Sequence, residues 1–281
     1  MKKIDRFDAT VKGENNRTMG IDLTVPVSKT AVPVVVFCHG FKGFKDWGHF
    51  NWVAQSFAEQ GLAFLKFNFS HNGVVMDSPT EITDLEAFSN NNYSIELKDL
   101  NTIIDFVYEN AEKYNLNPSD LSLIGHSRGG GIALLKGAED KRVAKIALWA
   151  SLSEFDSFFW PETIKEWEAN GVVYAENKRT GQKLPLKKQF YDDYQKNKTS
   201  LDIRKAAKML DKPLLIVHGD KDESVNIQHA ETLYNLVQHS IFIRVEDGDH
   251  TFGAKHPFKS ETDVTPMLEE LVENTVEFFL D

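Results

Sequence analysis

Ser127 lies in the run Gly125-His126-Ser127-Arg128-Gly129, followed by Gly130 and Gly131, between a short apolar stretch and a segment with helical spacing. A serine hydroxyl is a weak nucleophile unless a base takes its proton as it attacks. A tight strand-to-helix turn lined by small residues can hold it exposed beside such a base. Two further segments could supply the remaining groups. In His218-Gly219-Asp220-Lys221-Asp222-Glu223-Ser224-Val225, carboxylates follow an apolar stretch directly; in Asp247-Gly248-Asp249-His250-Thr251-Phe252, an imidazole follows the next stretch in the same way. Ser127 as nucleophile, His250 as base and a carboxylate that orients the base would carry out acyl transfer. By position alone Asp220, Asp222, Glu223, Asp247 and Asp249 all compete for the third role.

A fourth segment, His39-Gly40-Phe41-Lys42-Gly43-Phe44, follows an early apolar run. Backbone amides are needed there to meet the negative oxygen of a tetrahedral intermediate, and those of Phe41 and Arg128 are the candidates. His39, Gly40 and His126 flank these positions and are candidate substrate contacts, as are Phe159 and Trp160 further on. Each residue also has an ordinary reading. Ser127 would cap a helix, His250 would be one of nine histidines without a role, His39 and His126 would brace loops, and the aromatics would form a minor core. The ordinary reading is preferred for Cys38, as a small core residue.

These loops need a frame. Arg17 to Val27, Ala31 to Cys38, Leu62 to Phe69, Asp120 to Gly125, Val143 to Ala150, Pro213 to His218 and Ile241 to Val245 read as strands. Residues 48–60, Ser94 to Lys113, Arg128 to Ala138, Asn226 to Gln238 and Val264 to Leu280 read as helices. Such alternation predicts an α/β fold, an about eight-stranded, mostly parallel sheet with helices on both faces. Functional loops of an open parallel sheet lie at the carboxyl ends of its strands, where all four segments fall. The rhythm breaks between Ser151 and Ser200, a stretch both aromatic and charged, with a hairpin predicted from Gly171 to Glu176 and Gln182 to Leu186. The expected organisation is a core of 1–150 and 201–281 with a lid or cap of 151–200.

The chain has 281 residues, 41% apolar and 26% charged, with a formal net charge of −10 and a pI near 5.4. That balance disfavours a nucleic-acid partner, since phosphate binding needs a concentrated basic surface. No run is long and apolar enough for a membrane span. Asp5, Arg6 and Asp8 interrupt the start where a signal peptide needs an apolar stretch, and the single cysteine is compatible with a reducing cytoplasm, the expected location. Metal-ligand spacing and phosphate-loop spacing are both missing, so neither a metal nor a cofactor is expected.

The order serine, acid, histidine is that of the α/β-hydrolase fold. Together with the elbow, the His-Gly-Phe loop, the His-Gly-x-x-Asp-x-x-Val segment and the terminal Gly-Asp-His, the chain resembles α/β-hydrolases of the dienelactone-hydrolase and cinnamoyl/feruloyl-esterase-like branch over nearly all its length. The resemblance implies that Asp222, the second aspartate of its motif, is the acid, and that 151–200 is a lid. Dienelactone hydrolase itself uses a cysteine nucleophile, so its specific reaction is not implied; nor is that of the prolyl-peptidase branch, which bears a large propeller domain. The expected function is hydrolysis of small acyl or aryl carboxylic esters through an acyl-enzyme. Thioester or amide hydrolysis is the alternative within enzymes, and a non-catalytic ligand-binding homologue is the alternative outside them. The sequence leaves the oligomeric state undetermined.

Overall fold

In the computed structural model, which describes residues 3–281, the most apolar runs of the sequence form the middle of one sheet. In chain order the strands are β1 (Ile4–Lys12), β2 (Thr18–Pro26), β3 (Val32–Cys38), β4 (Ala63–Phe67), the short pair β5 (Val74–Val75) and β6 (Ser78–Ile82), β7 (Leu116–His126), β8 (Val143–Trp149), the pair β9 (Val172–Asn177) and β10 (Gln182–Lys187), β11 (Leu214–Gly219) and β12 (Ser240–Val245). The main sheet runs β1-β2-β4-β3-β7-β8-β11-β12. It is antiparallel at β1/β2 and β2/β4 and parallel from β4 onward. Every residue of β4 and β11 is buried, the pattern of parallel strands covered on both faces.

The helices are α1 (Phe50–Gln60), α2 (Leu85–Ser89), α3 (Tyr93–Glu109), α4 (Ala111–Tyr114), α5 (Arg128–Glu139), α6 (Pro161–Asn170), α7 (Gln189–Asn197), α8 (Ile203–Met209), α9 (Gln228–Leu236) and α10 (Pro266–Leu280). Two apolar cores result, one on each side of the sheet. Leu100, Ile103 and Ile104 of α3 and Ile132 and Leu134 of α5 fill one; Val53 and Phe57 of α1 and Leu268, Leu271 and Val276 of α10 fill the other. This is the expected α/β-hydrolase architecture. The expected helix Ser94 to Lys113 is broken at Asn110 into α3 and α4, and α10 starts at Pro266, where the Thr265 hydroxyl accepts the Leu268 amide at 3.2 Å.

Between β8 and β11 the chain leaves the sheet. It forms a 3-10 turn (Asp156–Phe158), α6, the β9–β10 hairpin and α7, and returns through α8. The Trp167 indole N–H donates to the Leu186 carbonyl at 2.7 Å and ties α6 to the hairpin. Tyr93 at the start of α3 stacks on Phe155 at 3.7 Å between centroids, and the Ser94 hydroxyl donates to Asp193 at 2.8 Å, so the excursion is anchored to the core. Among the described residues no helix is long and apolar enough to cross a membrane.

Candidate active site

Between the end of β7 and the start of α5, Ser127 alone turns the chain, with φ 56° and ψ −122°. A non-glycine residue rarely adopts such a backbone, at about 1–3 kcal/mol, and surrounding contacts must impose it. The Ser127 amide donates to the Trp149 carbonyl at 2.9 Å, and its carbonyl accepts the Gly130 amide at 3.0 Å. Gly129 lets α5 approach the end of β3: a Cβ there would lie 2.3 Å from the Cys38 carbonyl oxygen and 2.5 Å from that of His39. Although Ser127 occupies the N-cap position, its hydroxyl caps nothing. The ordinary reading of this serine therefore fails, and the side chain is free to face the cavities that it and His250 both line.

The imidazole is held from behind. His250 Nδ1–H donates to Asp222 Oδ2 at 2.8 Å, while Asp222 Oδ1 accepts the amides of Ser224 and Val225, each at 2.8 Å. His218 Nε2 lies 3.3 Å from Oδ2. Burial by itself would raise the Asp222 pKa; the hydrogen bonds from His218 and His250 outweigh it and hold the carboxyl well below the usual range. Two of the competing carboxylates are engaged elsewhere. Asp220 pairs with Arg244 at 3.2 Å and accepts the Asp247 amide, and Asp249 accepts the amides of Thr251 and Gly253 within its own loop. His126 Nε2–H donates to the His250 carbonyl at 2.9 Å and fixes the loop that carries the imidazole. In this conformation the Ser127 hydroxyl is not hydrogen-bonded to His250, a bond that substrate binding commonly tightens.

Neither the Phe41 nor the Arg128 amide donates to a protein acceptor among the described residues. Arg128 opens α5, where the first amides of a helix have no partner within it. Its guanidinium pairs with buried Glu96 and lies 4.6 Å from the centroid of the Phe41 ring, which couples the two amide-bearing segments through one side chain. His39 does not line either cavity, contrary to the expectation of a substrate contact. Its Nδ1–H donates to the Gly40 carbonyl at 2.9 Å, and Nε2 accepts from the Phe69 amide at 3.4 Å. Burial pushes its pKa down to about 4, so it stays neutral and supports the loop from beneath.

Two cavities meet at Ser127 and His250. The smaller, about 270 Å³, includes Gly40, Trp47, His126, Lys178 and Arg179 in its wall; the larger, about 710 Å³, includes Phe158, Trp160, Trp167, Tyr174 and Phe190. Phe41 and Lys42 belong to both. Of the expected substrate contacts, Gly40, His126 and Trp160 line these cavities. Phe159 does not: it packs on Tyr194 at 4.7 Å and Tyr191 at 5.3 Å, and its neighbour Phe158 faces the cavity instead. Lys42, Lys178 and Arg179 were not singled out by sequence, because only folding brings the hairpin turn beside the loop after β3. Among the described residues no group of three or more histidine, cysteine or carboxylate side chains is arranged to hold a metal ion.

A strand-to-helix turn carrying Ser127 after β7, Asp222 after β11 and His250 after β12, all at the carboxyl edge of this sheet, follow the layout of an α/β-hydrolase. Residues 21–237 match the BD-FAE family, and the chain belongs to that family. Three solved structures share the fold. The esterase domain of a Rhodothermus marinus protein is 20% identical, with 99% of both chains covered and a TM-score of 0.63. Est1E from Butyrivibrio proteoclasticus with bound ferulic acid is 19% identical over 97% of this chain and 98% of that one, with a TM-score of 0.71. Dienelactone hydrolase from Anabaena variabilis is 16% identical over 99% and 97%, with a TM-score of 0.65. No curated protein matches the sequence.

Proposed function

We propose that the protein is a serine hydrolase that cleaves carboxylic esters through an acyl-enzyme. The observation that carries this is the convergence, at one junction of two cavities, of an uncapped serine hydroxyl, an imidazole held by a buried carboxylate, and two free backbone amides. Ser127 Oγ attacks the ester carbonyl carbon and passes its proton to His250 Nε2, and the Phe41 and Arg128 amides donate to the resulting oxyanion. The carbon–oxygen bond to the alcohol breaks, and the alcohol leaves with the proton from His250. Water then attacks the acyl-enzyme, giving its proton to His250, and collapse of the second intermediate returns that proton to Ser127 and frees the carboxylic acid. Asp222 keeps Nδ1 protonated, so Nε2 faces the serine, and it stabilises the imidazolium formed in each half-reaction.

The larger cavity suits an aromatic or acyl arm, and the ferulic acid bound to Est1E is an aromatic acid of that kind. Residues 151–200 act as a cap over the core formed by 1–150 and 201–281. The test is hydrolysis of 4-nitrophenyl acetate and butyrate by wild type and Ser127→Ala, with fluorophosphonate labelling and mass mapping. Loss of about 10⁴-fold or more in kcat, with the adduct on Ser127, is expected. Ligand binding without turnover or labelling would overturn the reading in favour of a non-catalytic homologue.

A further inference from the structure

The smaller cavity carries a charge pattern that ester hydrolysis does not itself require. The chain is acidic, with 42 carboxylate side chains against 32 lysines and arginines, yet neither cavity has an aspartate or glutamate in its wall, and the smaller has Lys42, Lys178 and Arg179. None of the three forms an ion pair within 4.0 Å among the described residues, although lysines and arginines elsewhere on the surface do, as in Lys188–Asp192 and Arg204–Glu154. Lys42 is half-buried and sits where the two cavities join. Its ammonium donates to the Glu176 carbonyl at 3.0 Å, which leaves its other two N–H groups without protein acceptors. Burial, and after it the nearby charge of Lys178, lower the Lys42 pKa, opposed by the Glu176 carboxylate. Lys178 and Arg179 are presented by a folded turn: the Asn177 side chain accepts the Arg179 amide at 3.2 Å, and the Asn177 carbonyl accepts that of Gly181 at 2.8 Å. Cations held together this way repel one another, and an oxyanion between them relieves the repulsion through charge-assisted hydrogen bonds.

We infer that the substrate is an ester bearing an oxyanionic group, a carboxylate or a phosphate, which seats in the smaller cavity against Lys42, Lys178 and Arg179 while the aromatic or acyl arm fills the larger. This rests on the ester-hydrolase reading above and narrows it to a substrate class. The ordinary explanation is a solvated basic turn that touches no substrate. Three pairs of esters separate the two. 4-Nitrophenyl hemiglutarate is set against its methyl ester (anion on the acid side), 4-carboxyphenyl butyrate against its methyl ester (anion on the alcohol side), and 4-(phosphonomethyl)phenyl butyrate against its dimethyl ester (a phosphate-like anion), each corrected for spontaneous hydrolysis.

At low salt, at least one anionic ester should exceed its neutral partner in kcat/KM by roughly tenfold, the sum of several modest solvent-exposed charge contacts. The ratio should fall toward one in about 0.5 M sodium chloride and drop below one in the K178E/R179E double variant; Lys42→Met should lower it as well. Each ratio is taken on one enzyme preparation, so partial misfolding lowers both rates and leaves the ratio unchanged. The carboxylate and phosphonate pairs tell which oxyanion is preferred. Ser127-dependent turnover with every ratio at or below one would overturn the anion assignment alone. If none of the esters is turned over and Ser127 is not labelled, the hydrolase reading fails and the inference fails with it.

Discussion

Beneath Ser127, main-chain groups make the contacts. Gly129 lies against the carbonyls of Cys38 and His39, the Ser127 amide is bonded to Trp149 of the neighbouring strand, and the amides of Ser224 and Val225 close on Asp222. Above it, between β8 and β11, side chains do the work: Trp167, Phe159, Phe190 and Tyr194 pack on one another, while Trp160, Tyr174, Lys178 and Arg179 are exposed around the openings. A floor fixed by main-chain contacts tolerates almost no change of shape, which is what positioning a nucleophile, a base and two amides to within tenths of an ångström requires. A roof built from side chains can change its surface chemistry without moving the floor. On this division, reaction type is set below Ser127 and substrate choice above it. Substitutions in the two regions should therefore fail in different ways.

The largest effect belongs to the floor. Asp222→Asn keeps the shape of the acid but supplies an amide that can donate to Nδ1, so the imidazole turns to the wrong tautomer. A loss of roughly 10³–10⁴ in kcat is expected, measured on 4-nitrophenyl butyrate, with KM little changed. Asp220→Asn is the control: that carboxylate serves Arg244 and the Asp247 amide, so kcat should stay within a few-fold of wild type. A comparable loss in both variants would show that the loop as a whole, and not the Asp222–His250 bond, governs the rate.

Next in size is a methyl group. The Gly129→Ala Cβ has no room, because the atoms it meets at 2.3 and 2.5 Å are backbone oxygens on β3 and its loop. Separating α5 from that loop pulls the Phe41 and Arg128 amides apart, and loss of one such donor costs about 10²–10³ in kcat. Gly181→Ala in the roof also replaces a glycine, but nothing lies within 4 Å of the new atom, and only its φ of +71° is strained. That strain is about 1–2 kcal/mol, visible as a lowered melting temperature with kcat unchanged. Equal catalytic losses in the two variants would erase the distinction between floor and roof.

How far the sequence reached follows the same division. The elbow, the chain order and the buried strands were legible because β3, β7, β8 and β11 are nearly continuous apolar runs whose loops fall at one sheet edge. β1 escaped because it is an edge strand with mixed, partly exposed residues; Asp5, Arg6 and Asp8 are all exposed along it, and a period of two holds only from Phe7 onward. Asp222 and Asp220 are two residues apart in one loop, and no periodicity separates them; what does is which of them receives the Ser224 and Val225 amides. Phe158 and Phe159 fail in the same manner, since neighbours at a 3-10 turn point in different directions. Lys42 and Arg179 are far apart in sequence and share a cavity only through the hairpin's docking, which composition cannot reveal.

Buried histidines give the floor a pH dependence that the roof lacks. Burial holds His39 down to about 4 and His49 down to about 3, so both stay neutral when folded at a pH where the unfolded chain protonates them near 6.5. The unfolded state binds more protons between about pH 6.5 and 4; stability is fully present above that window and is lost as pH falls through it. At pH 5 each histidine removes on the order of 2 kcal/mol. Asp99 works in the opposite sense. Burial raises its pKa to about 6 and raises that of Glu96 as well, so their protonation favours the folded state as pH falls; against them burial also holds His71 down to about 4 and His126 down to about 3, in the same sense as His39 and His49. The melting temperature should therefore drop by several degrees between pH 7.5 and 5, and by less in His39→Asn. A melting temperature that is flat or rises toward pH 5 would mean these imidazoles are charged in the fold.

The smallest effect tests the roof alone. Trp160 is 66% exposed and stands in the wall of the larger cavity at the head of α6, where its carbonyl accepts the Ile164 amide, a bond that alanine retains. Little stability depends on so exposed a side chain, and Trp160→Ala should unfold within about 0.5 kcal/mol of wild type. What it removes is an aromatic wall for a bound arm. A pocket contact made equally in ground and transition states shows in KM and not in kcat, so KM should rise a few-fold for 4-nitrophenyl esters of aromatic acids and remain unchanged for the acetate, with kcat constant for both. Trp167→Ala is the counterpart. It is 1% exposed and bonded to the Leu186 carbonyl, and deleting a buried tryptophan costs about 3–5 kcal/mol, so the hairpin should loosen and both constants move. If Trp160→Ala instead lowers kcat for the acetate, the roof reaches into the chemistry, and assigning substrate choice to one region and reaction to the other is wrong.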